Sequence, residues 1–209
     1  LFYRSTLLDG DRFPVSAFTP GGLHPTDTSK YEKRGFAVSV PVWNKETCTQ
    51  CNQCSVMCPH GVVRPFLLDA EETKKAPASF SYLPAVGDEL KGLNFRIQAS
   101  PLDCTGCEVC ANVCPTESLK MVPLATAAPE QSKNWEFAMT LTNKGNLVDK
   151  TTVKGLAFQE PMLEFNGACA GCGEMTIVKM LTQLFGDRIS FADAMGCTMV
   201  SLGGTGVVP

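Results

Sequence analysis

Apolar residues occur in short stretches along this chain, and turn-forming residues separate them. Phe36, Val38 and Val40 alternate with smaller or polar residues, which predicts a strand with one buried face. Residues 118–124 and 151–158 predict two further short strands. These elements indicate small mixed units of helix and strand rather than a bundle of long helices.

One amphipathic helix is predicted over residues 174–185, with glycine at position 186 to end it. Its apolar residues fall at helical spacing: Ile177, Met180, Leu181, Leu184 and Phe185. Residues 189–192 then predict a strand. A loop, a helix and a strand with glycines at the turns are typical of the start of a doubly wound α/β domain.

Two segments predict irregular chain. Residues 1–41 are rich in proline and glycine, which favours extended or turn-rich structure over helix. Residues 126–133, which are rich in Ala, Pro, Ser and Gln, indicate a linker. Trp135, which follows them, is expected to pack in a core or an interface rather than against a ligand.

Two cysteine runs share one spacing, from Cys48 to Pro59 and from Cys104 to Pro115. In each run two residues separate the first three cysteines, three residues precede the fourth, and a proline follows it. Bacterial iron–sulfur proteins bind [4Fe–4S] clusters with this spacing, and the fourth cysteine ligates the cluster of the other run. The predicted ligand sets are therefore Cys48, Cys51, Cys54 and Cys114 for one cluster, and Cys104, Cys107, Cys110 and Cys58 for the second.

Two other interpretations of the runs stay open. Structural zinc takes four ligands from paired Cys-x-x-Cys units, whereas each run here offers cysteines that zinc does not need. A disulfide framework is less favoured because the chain has 11 cysteines, an odd number, and shows no secretory signal peptide. Clustered cysteines in a chain that is not secreted more often bind metal or do redox chemistry.

The residues around the runs add two expectations. Residues 62–100 form a long separation between the runs, which predicts an insertion whose mixed charges at 71–75 lie on a solvated helix or turn. His60 follows the first run directly, and its sequence neighbourhood predicts a partly exposed residue with no set role.

A third cysteine group lies directly before and after the predicted helix. Cys169 and Cys172 form one Cys-x-x-Cys unit, and Cys197 follows later. The residues alone leave zinc, a dithiol and a cluster open, and a cubane needs a fourth ligand that is not found after Cys197. Backbone N–H groups at the start of the helix would favour the negative charge of a thiolate or a cluster.

Length, charge and the lengths of the apolar runs limit the number of domains and the classes of partner. The 209 residues are enough for one or two domains. A net charge of −3 argues against a nucleic-acid partner, which would require a basic face. No apolar run approaches the roughly 18 residues that span a bilayer, so we expect no membrane partner. The chain begins at Leu1 rather than Met, and we interpret it as an internal piece of a larger polypeptide.

Further motifs accompany the cysteines. They are Tyr31-Glu32-Lys33-Arg34-Gly35, Cys51-Asn52-Gln53-Cys54, Cys58-Pro59-His60, Leu163-Glu164-Phe165 and Gly167-Ala168-Cys169-Ala170-Gly171-Cys172-Gly173-Glu174. In these motifs the chain, from about Thr26 to about Cys197, closely resembles the pyruvate:ferredoxin oxidoreductase (pyruvate synthase) family. The first motif looks like the family's EKR region, whereas residues 198–209 depart from the family's pattern.

This resemblance implies a multidomain enzyme with thiamine diphosphate, Mg²⁺ and three [4Fe–4S] clusters. Such an enzyme oxidises pyruvate with coenzyme A to acetyl-CoA and carbon dioxide, and it passes electrons to ferredoxin or flavodoxin. Cys169, Cys172 and Cys197 would be three of the four ligands of the third cluster, and Glu174 and Cys197 would lie at the thiamine diphosphate. The fourth ligand, the magnesium site and the pyruvate and coenzyme A domains fall outside this sequence, so the segment alone is expected to be inactive.

The expected fold class is α+β: a ferredoxin-like two-[4Fe–4S] domain with an insertion, followed by the start of an α/β thiamine-diphosphate-binding domain. The expected divisions are an EKR-type linker region at 1–41, the two-cluster domain at 42–125, a linker at 126–160 and the truncated thiamine domain at 161–209. The resemblance also implies a homodimer when intact and a cytoplasmic location, with a hydrogenosome-like organelle as the alternative.

Three rival functions are weighed against this interpretation. A polyferredoxin module of a hydrogenase or dehydrogenase would have no use for the run from Gly167 to Glu174 or for Cys197. A related 2-oxoacid oxidoreductase would differ in substrate domains that this sequence does not contain. A nonenzymatic zinc protein would bind zinc in place of iron and sulfide.

Overall fold

The computed structural model describes residues 10–18, 20–22, 28–192 and 195–203. The strands are β1 (Ser39–Trp43), β2 (Val63–Leu68), β3 (Leu83–Pro84), β4 (Asn94–Ala99) and β5 (Leu119–Pro123). The α-helices are α1 (Gln53–Val56), α2 (Ala70–Lys75), α3 (Val109–Asn112), α4 (Leu124–Ala138), α5 (Val153–Ala157), α6 (Gly173–Phe185) and α7 (Cys197–Gly203). Helices and strands mix along the chain, as the predicted α+β class requires.

The strands pair across an internal repeat. β1 pairs antiparallel with β5, and β2 pairs antiparallel with β4, whose other edge takes β3. β1 and β4 each precede a cysteine run, whereas β2 and β5 each follow one. Each pairing therefore joins the strand before one run to the strand after the other, and the two helices α1 and α3 within the runs also pack together.

The core of this repeat contains cysteine as well as hydrocarbon side chains. Val40, Phe95 and Leu119 are buried in the same cluster as the thiols of Cys54, Cys58, Cys104 and Cys110. The Phe95 ring lies edge-on to the rings of Trp43 and Phe158, with 6.2 Å between centroids in each pair. The two cysteine loops are thus held against a packed apolar interior that limits the access of water.

Two of the predicted strands are present, and the first of them begins later in the chain than predicted. The strand predicted near residues 36–42 is β1, but Phe36 and Val38 precede it and are 56% and 87% exposed, so only Val40 of the alternating set is buried. The predicted closing strand at 118–124 is β5. Of residues 1–41, the described part before β1 forms short 3-10 turns, in keeping with a turn-rich chain.

The predicted linker at 126–160 is wrong over its first part, where the 15-residue helix α4 packs on the core. Its buried residues fall at helical spacing: Ala127, Gln131, Asn134, Trp135 and Ala138. The Trp135 ring lies edge-on to Phe66 and Phe165, with ring centroids 6.0 and 6.1 Å away. Burial of one face outweighs the hydrogen bond that Pro129 cannot donate inside the helix.

Two other strand predictions are also wrong. Residues 151–158 contain helix α5, which Thr152 caps by accepting a hydrogen bond from the backbone N–H of Gly155. Residues 189–192 form no strand among the described residues, although Ile189 has an extended backbone. Between the runs, the predicted solvated helix is α2, where Asp69 and Glu72 form a capping box.

Helix α6 is present as predicted and ends at Gly186, but its buried face matches the predicted apolar stripe only in part. Ile177 and Phe185 are 58% and 47% exposed, whereas Met180 and Leu184 pack against a cluster that contains Val56 of the cysteine domain. Thr176 and Lys179, which are buried, donate hydrogen bonds to backbone oxygens of the same domain. Polar and apolar contacts therefore both dock α6 on the cysteine domain. Among the described residues, no helix is both long and apolar enough to span a bilayer.

Truncating Trp135 tests the packing of α4. Trp135→Ala should lower the free energy of unfolding by about 3–5 kcal/mol, because it removes a buried aromatic ring and leaves a cavity. Glu136→Ala, on the exposed face of the same helix, is the control and should change stability by less than about 0.5 kcal/mol. Denaturant unfolding under anaerobic conditions measures both, and equal stabilities of the two variants would contradict the packed helix.

Candidate iron–sulfur centres

The first candidate site is a cavity between the two runs. Cys48, Cys51 and Cys54 line it from the first run, and Cys114 lines it from the second. Trp43, Ile97 and Leu119 supply apolar walls. The structure thus brings together the four residues that the spacing assigns to one cluster.

The second candidate site mirrors the first. Cys104, Cys107 and Cys110 line it from the second run, and Cys58 crosses over from the first. Its remaining walls include His60 and Val63. The two strand pairings account for this exchange, because the strands that flank each run pair with the strands that flank the other run.

Left-handed backbone residues curl each cysteine loop around its cavity. Gln50 and Asn52 have φ values of 57° and 62°, and the equivalent Gly106 and Glu108 have 69° and 63°. The turns aim backbone N–H groups at sulfur: Gln50 N donates to Cys48 Sγ, and Gly106 N donates to Cys104 Sγ, each over 3.4 Å. Ser118 N donates to Cys114 Sγ over 3.2 Å. Such donors stabilise negative charge on the sulfur atoms.

The pKa values of the thiols indicate that the cavities need positive charge when all of their thiols are ionised. Burial, followed by the nearby thiols of Cys48, Cys114 and Cys51, raises the pKa of Cys54 to about 12. Burial also raises the pKa of Cys104 to about 12 and that of Cys110 further still. Four thiolates in one such cavity are therefore unfavourable unless cations lie among them.

The donor sets fit [4Fe–4S] clusters, because the iron of a cluster supplies the cations that buried thiolates need. Each cavity offers four thiols with backbone donors behind them, which is the environment of a cubane. In the described part of the chain no group of three His, Cys, Asp or Glu side chains converges as the ligands of one metal ion would. The thiols instead surround a space.

His60 differs from its prediction, because it is 1% exposed rather than partly exposed. Its Nδ1 lies 3.3 Å from the backbone oxygen of Asn166. Burial lowers the pKa of His60 despite the hydrogen bonds to Asn166, which favours a neutral ring. Asn166 in turn donates from Nδ2 to the oxygen of Pro59 over 2.9 Å, and Phe165 N donates to the oxygen of His60 over 2.8 Å. The turn after the first run therefore holds the chain that leads to the third cysteine group.

The third group lies beside the second candidate site. Gly171, with φ of 76°, places its backbone so close to the second run that an added Cβ would lie 3.5 Å from the Cβ of Cys107 and from Val109. Cys169 and Cys197 are exposed, and Cys172 is half-buried. The Thr198 hydroxyl donates to Glu174, so the start of α7 lies beside the start of α6. Glu174 and the three cysteines thus occupy one end of the described structure.

Two family models match the chain. A 4Fe-4S dicluster domain covers residues 47–118, which contain both runs. A domain of unknown function, the EKR domain, covers residues 6–37. The first match corresponds to the two four-cysteine cavities.

Similarity to curated proteins extends over nearly the whole chain. The pyruvate:ferredoxin oxidoreductase of Moorella thermoacetica is 51% identical over 195 residues, which are 92% of this chain and 17% of that protein. The pyruvate-flavodoxin oxidoreductase of Enterobacter agglomerans is 50% identical over 196 residues, 92% of this chain and 16% of that protein. Over nearly its whole length the chain is thus similar to one segment of these pyruvate:ferredoxin and pyruvate-flavodoxin oxidoreductases.

The chain is also similar to a segment of a protein of which it covers a smaller share. The mitochondrial pyruvate dehydrogenase [NADP(+)] of Euglena gracilis is 50% identical over 200 residues, which are 96% of this chain and 11% of that protein. The chain therefore spans less than a fifth of the length of these relatives.

The sequence did not predict the burial of two residues close to the first run. Lys179 and His60 are each 1% exposed, and both lie close to the first run. In the sequence, Lys179 is a charged residue within three positions of several apolar residues on one predicted helix. The same pattern is common on solvated helix faces, so it does not indicate burial. Their burial follows from the docking of residues 163–185 on the cysteine domain.

The crossed arrangement of the cavities leads to reciprocal effects of two substitutions. Cys58→Ala should impair the cluster of the second run and leave that of the first run largely intact, because Cys58 lines the second cavity. Cys114→Ala should do the reverse, and each variant controls for the other. Paramagnetic resonance spectra of the reduced clusters distinguish them. Damage confined in each case to the cluster of the mutated run would refute the crossed ligand sets.

Proposed function

We propose that this chain is the electron-transfer segment of an enzyme that oxidises pyruvate with coenzyme A to acetyl-CoA and carbon dioxide. The observation that carries the proposal is the pair of four-cysteine cavities with the loop of Cys169 and Cys172 packed against the second. A plain ferredoxin module has no need for that loop. About 50% identity to enzymes named for pyruvate supports the same substrate.

Cys48, Cys51, Cys54 and Cys114 hold one [4Fe–4S] cluster, and Cys104, Cys107, Cys110 and Cys58 hold the other, in this proposal. Bound clusters supply one-electron carriers. The chain's own contribution is to fix eight thiols, to aim backbone N–H groups at them and to exclude water with residues such as Ile97 and Leu119. These are the levers by which a protein sets the potential of such a cluster.

Residues 161–209 form the start of a thiamine-diphosphate-binding α/β domain in this proposal, with Mg²⁺ bound outside the sequence. Cys169, Cys172 and Cys197 provide three ligands of a third [4Fe–4S] cluster, and Glu174 and Cys197 lie at the thiamine diphosphate. The support is local: Glu174 is exposed at the start of α6, next to Thr198 and beside the cysteine loop. Backbone N–H groups at that helix end favour anionic groups.

The electron acceptor is ferredoxin or flavodoxin in this proposal. Relatives named for ferredoxin, for flavodoxin and for NADP(+) share this segment at about half identity. The segment is therefore common to enzymes with different acceptors, and an exposed edge of the cluster domain is the place where electrons leave. The intact protein is proposed to be a homodimer in the cytoplasm or in a hydrogenosome-like organelle.

Metal content and turnover of the anaerobically purified protein test the proposal. The two complete cysteine sets should hold about eight irons and eight sulfides, four of each per cubane. The intact protein should reduce ferredoxin or flavodoxin only when pyruvate and coenzyme A are both present. Bound zinc in place of iron and sulfide would refute the cluster assignment, and iron without pyruvate-dependent reduction would refute the substrate.

Glu174→Gln tests the thiamine site separately. In the intact protein this change should weaken thiamine diphosphate binding and lower pyruvate turnover, because the proposed site loses its carboxylate. If Glu174 merely offsets the helix dipole, only a stability loss of about 0.3–1 kcal/mol is expected. Glu136→Gln, exposed on α4, is the matched control. Unchanged affinity and turnover in Glu174→Gln would leave the carboxylate with the dipole role alone.

A further inference from the structure

Lys179 is a buried lysine in the middle of α6, with 1% of its surface exposed. Its Nζ donates a hydrogen bond to the backbone oxygen of Ser55 over 2.6 Å. Among the described residues, no Asp or Glu forms an ion pair with Lys179. Burial of an ammonium group is costly unless opposite charge lies nearby, so this lysine requires an explanation.

Lys179 lies against a segment that carries cysteines of both proposed cluster sites. Ser55 follows Cys54, which lines the first cavity, and precedes Cys58, which lines the second. Burial lowers the pKa of Lys179 to about 8; Cys58 and Cys54 act in the opposite direction, and Arg64 acts with burial. The lysine thus lies against the segment that joins the two proposed sites.

The docking of α6 does not by itself need a positive charge at this position. Thr176 Oγ1 donates to the oxygen of Met57 over 3.3 Å, and Gln183 Nε2 donates to the oxygen of Gln159 over 2.7 Å. Neutral side chains one turn away on the same helix therefore make the same kind of bond to a backbone oxygen. A neutral donor would satisfy Ser55 at a lower desolvation cost.

We propose that Lys179 provides a fixed positive charge between the two cluster sites and raises the reduction potentials of both. The inference rests on the proposed function, because it requires [4Fe–4S] clusters in the two cavities. Reduction adds one negative charge to a cluster, and a nearby positive charge stabilises the reduced state. The negative charge of the cluster–thiolate groups in turn offsets the burial of the ammonium group.

Four variants of the intact protein separate charge from hydrogen bonding. Lys179→Met removes both, Lys179→Gln keeps a donor without charge, and Lys179→Arg keeps the charge. Lys150→Met is the matched control, because Lys150 also donates to a backbone oxygen at α6, that of Leu184 over 2.8 Å, but is exposed. Iron and sulfide content is measured first, followed by redox titration monitored by paramagnetic resonance.

Both neutral variants should retain their clusters, and at least one of the two clusters should become at least tenfold harder to reduce, which is 59 mV for one electron. The other cluster should shift in the same direction, and Lys179→Arg and Lys150→Met should resemble the unchanged protein. Unchanged potentials in loaded Lys179→Met and Lys179→Gln would overturn the proposal. Loss of the clusters in both neutral variants would also overturn it, in favour of a structural role.

The same measurements distinguish a failure of this inference from a failure of the proposed function. If the unchanged protein binds no iron and sulfide in the two cavities, the proposed function fails before any variant is compared. If the protein binds both clusters and their reduction potentials do not depend on residue 179, the result is consistent with the proposed function. The proposal that Lys179 raises the potentials is then wrong.

Discussion

Crowding eight cysteine thiols into two adjoining cavities is the constraint on which the rest of this structure depends. Ionised thiols repel one another, and burial makes each charge more costly, as the raised pKa of Cys54 shows. The surrounding chain must therefore supply compensating dipoles and cations. Backbone N–H groups aimed at Cys48, Cys104 and Cys114 are the dipoles, and the iron of a cluster is the proposed source of positive charge.

The crossed pairing of strands follows from the same constraint. A single run can curl three thiols around a cavity, but its fourth cysteine lies beyond the loop and points elsewhere. Pairing β1 with β5 and β2 with β4 places each fourth cysteine at the partner's cavity. Neither half can then form its site alone, so the two runs fold as one unit although the insertion between them contains α2 and β3.

Local covalent spacing made the cavities predictable, whereas tertiary docking made other features unpredictable. The two four-cysteine groups follow from spacing within a few residues, and β1, β5 and α6 follow from periodicity. Helix α4 was predictable in principle, since its buried residues repeat at helical intervals, but Pro129 and the small polar residues favoured a linker. The burial of His60 and Lys179 could not be predicted, because it depends on distant chain that packs over the first run.

The docking of that distant chain explains how a redox domain is joined to the segment beyond it. Hydrogen bonds from Asn166 to Pro59 and from Thr176 to Met57 fix the chain on both sides of the loop that contains Cys169 and Cys172. Gly171 allows the intervening loop to contact the second run directly, since a side chain there would be strained at positive φ. A flexible tether would let the distance between this loop and the second cavity vary from molecule to molecule. Backbone contacts on both sides instead hold Cys169 and Cys172 at one position beside the second cavity, which is the arrangement that the proposed third cluster would need for direct electron exchange with the second.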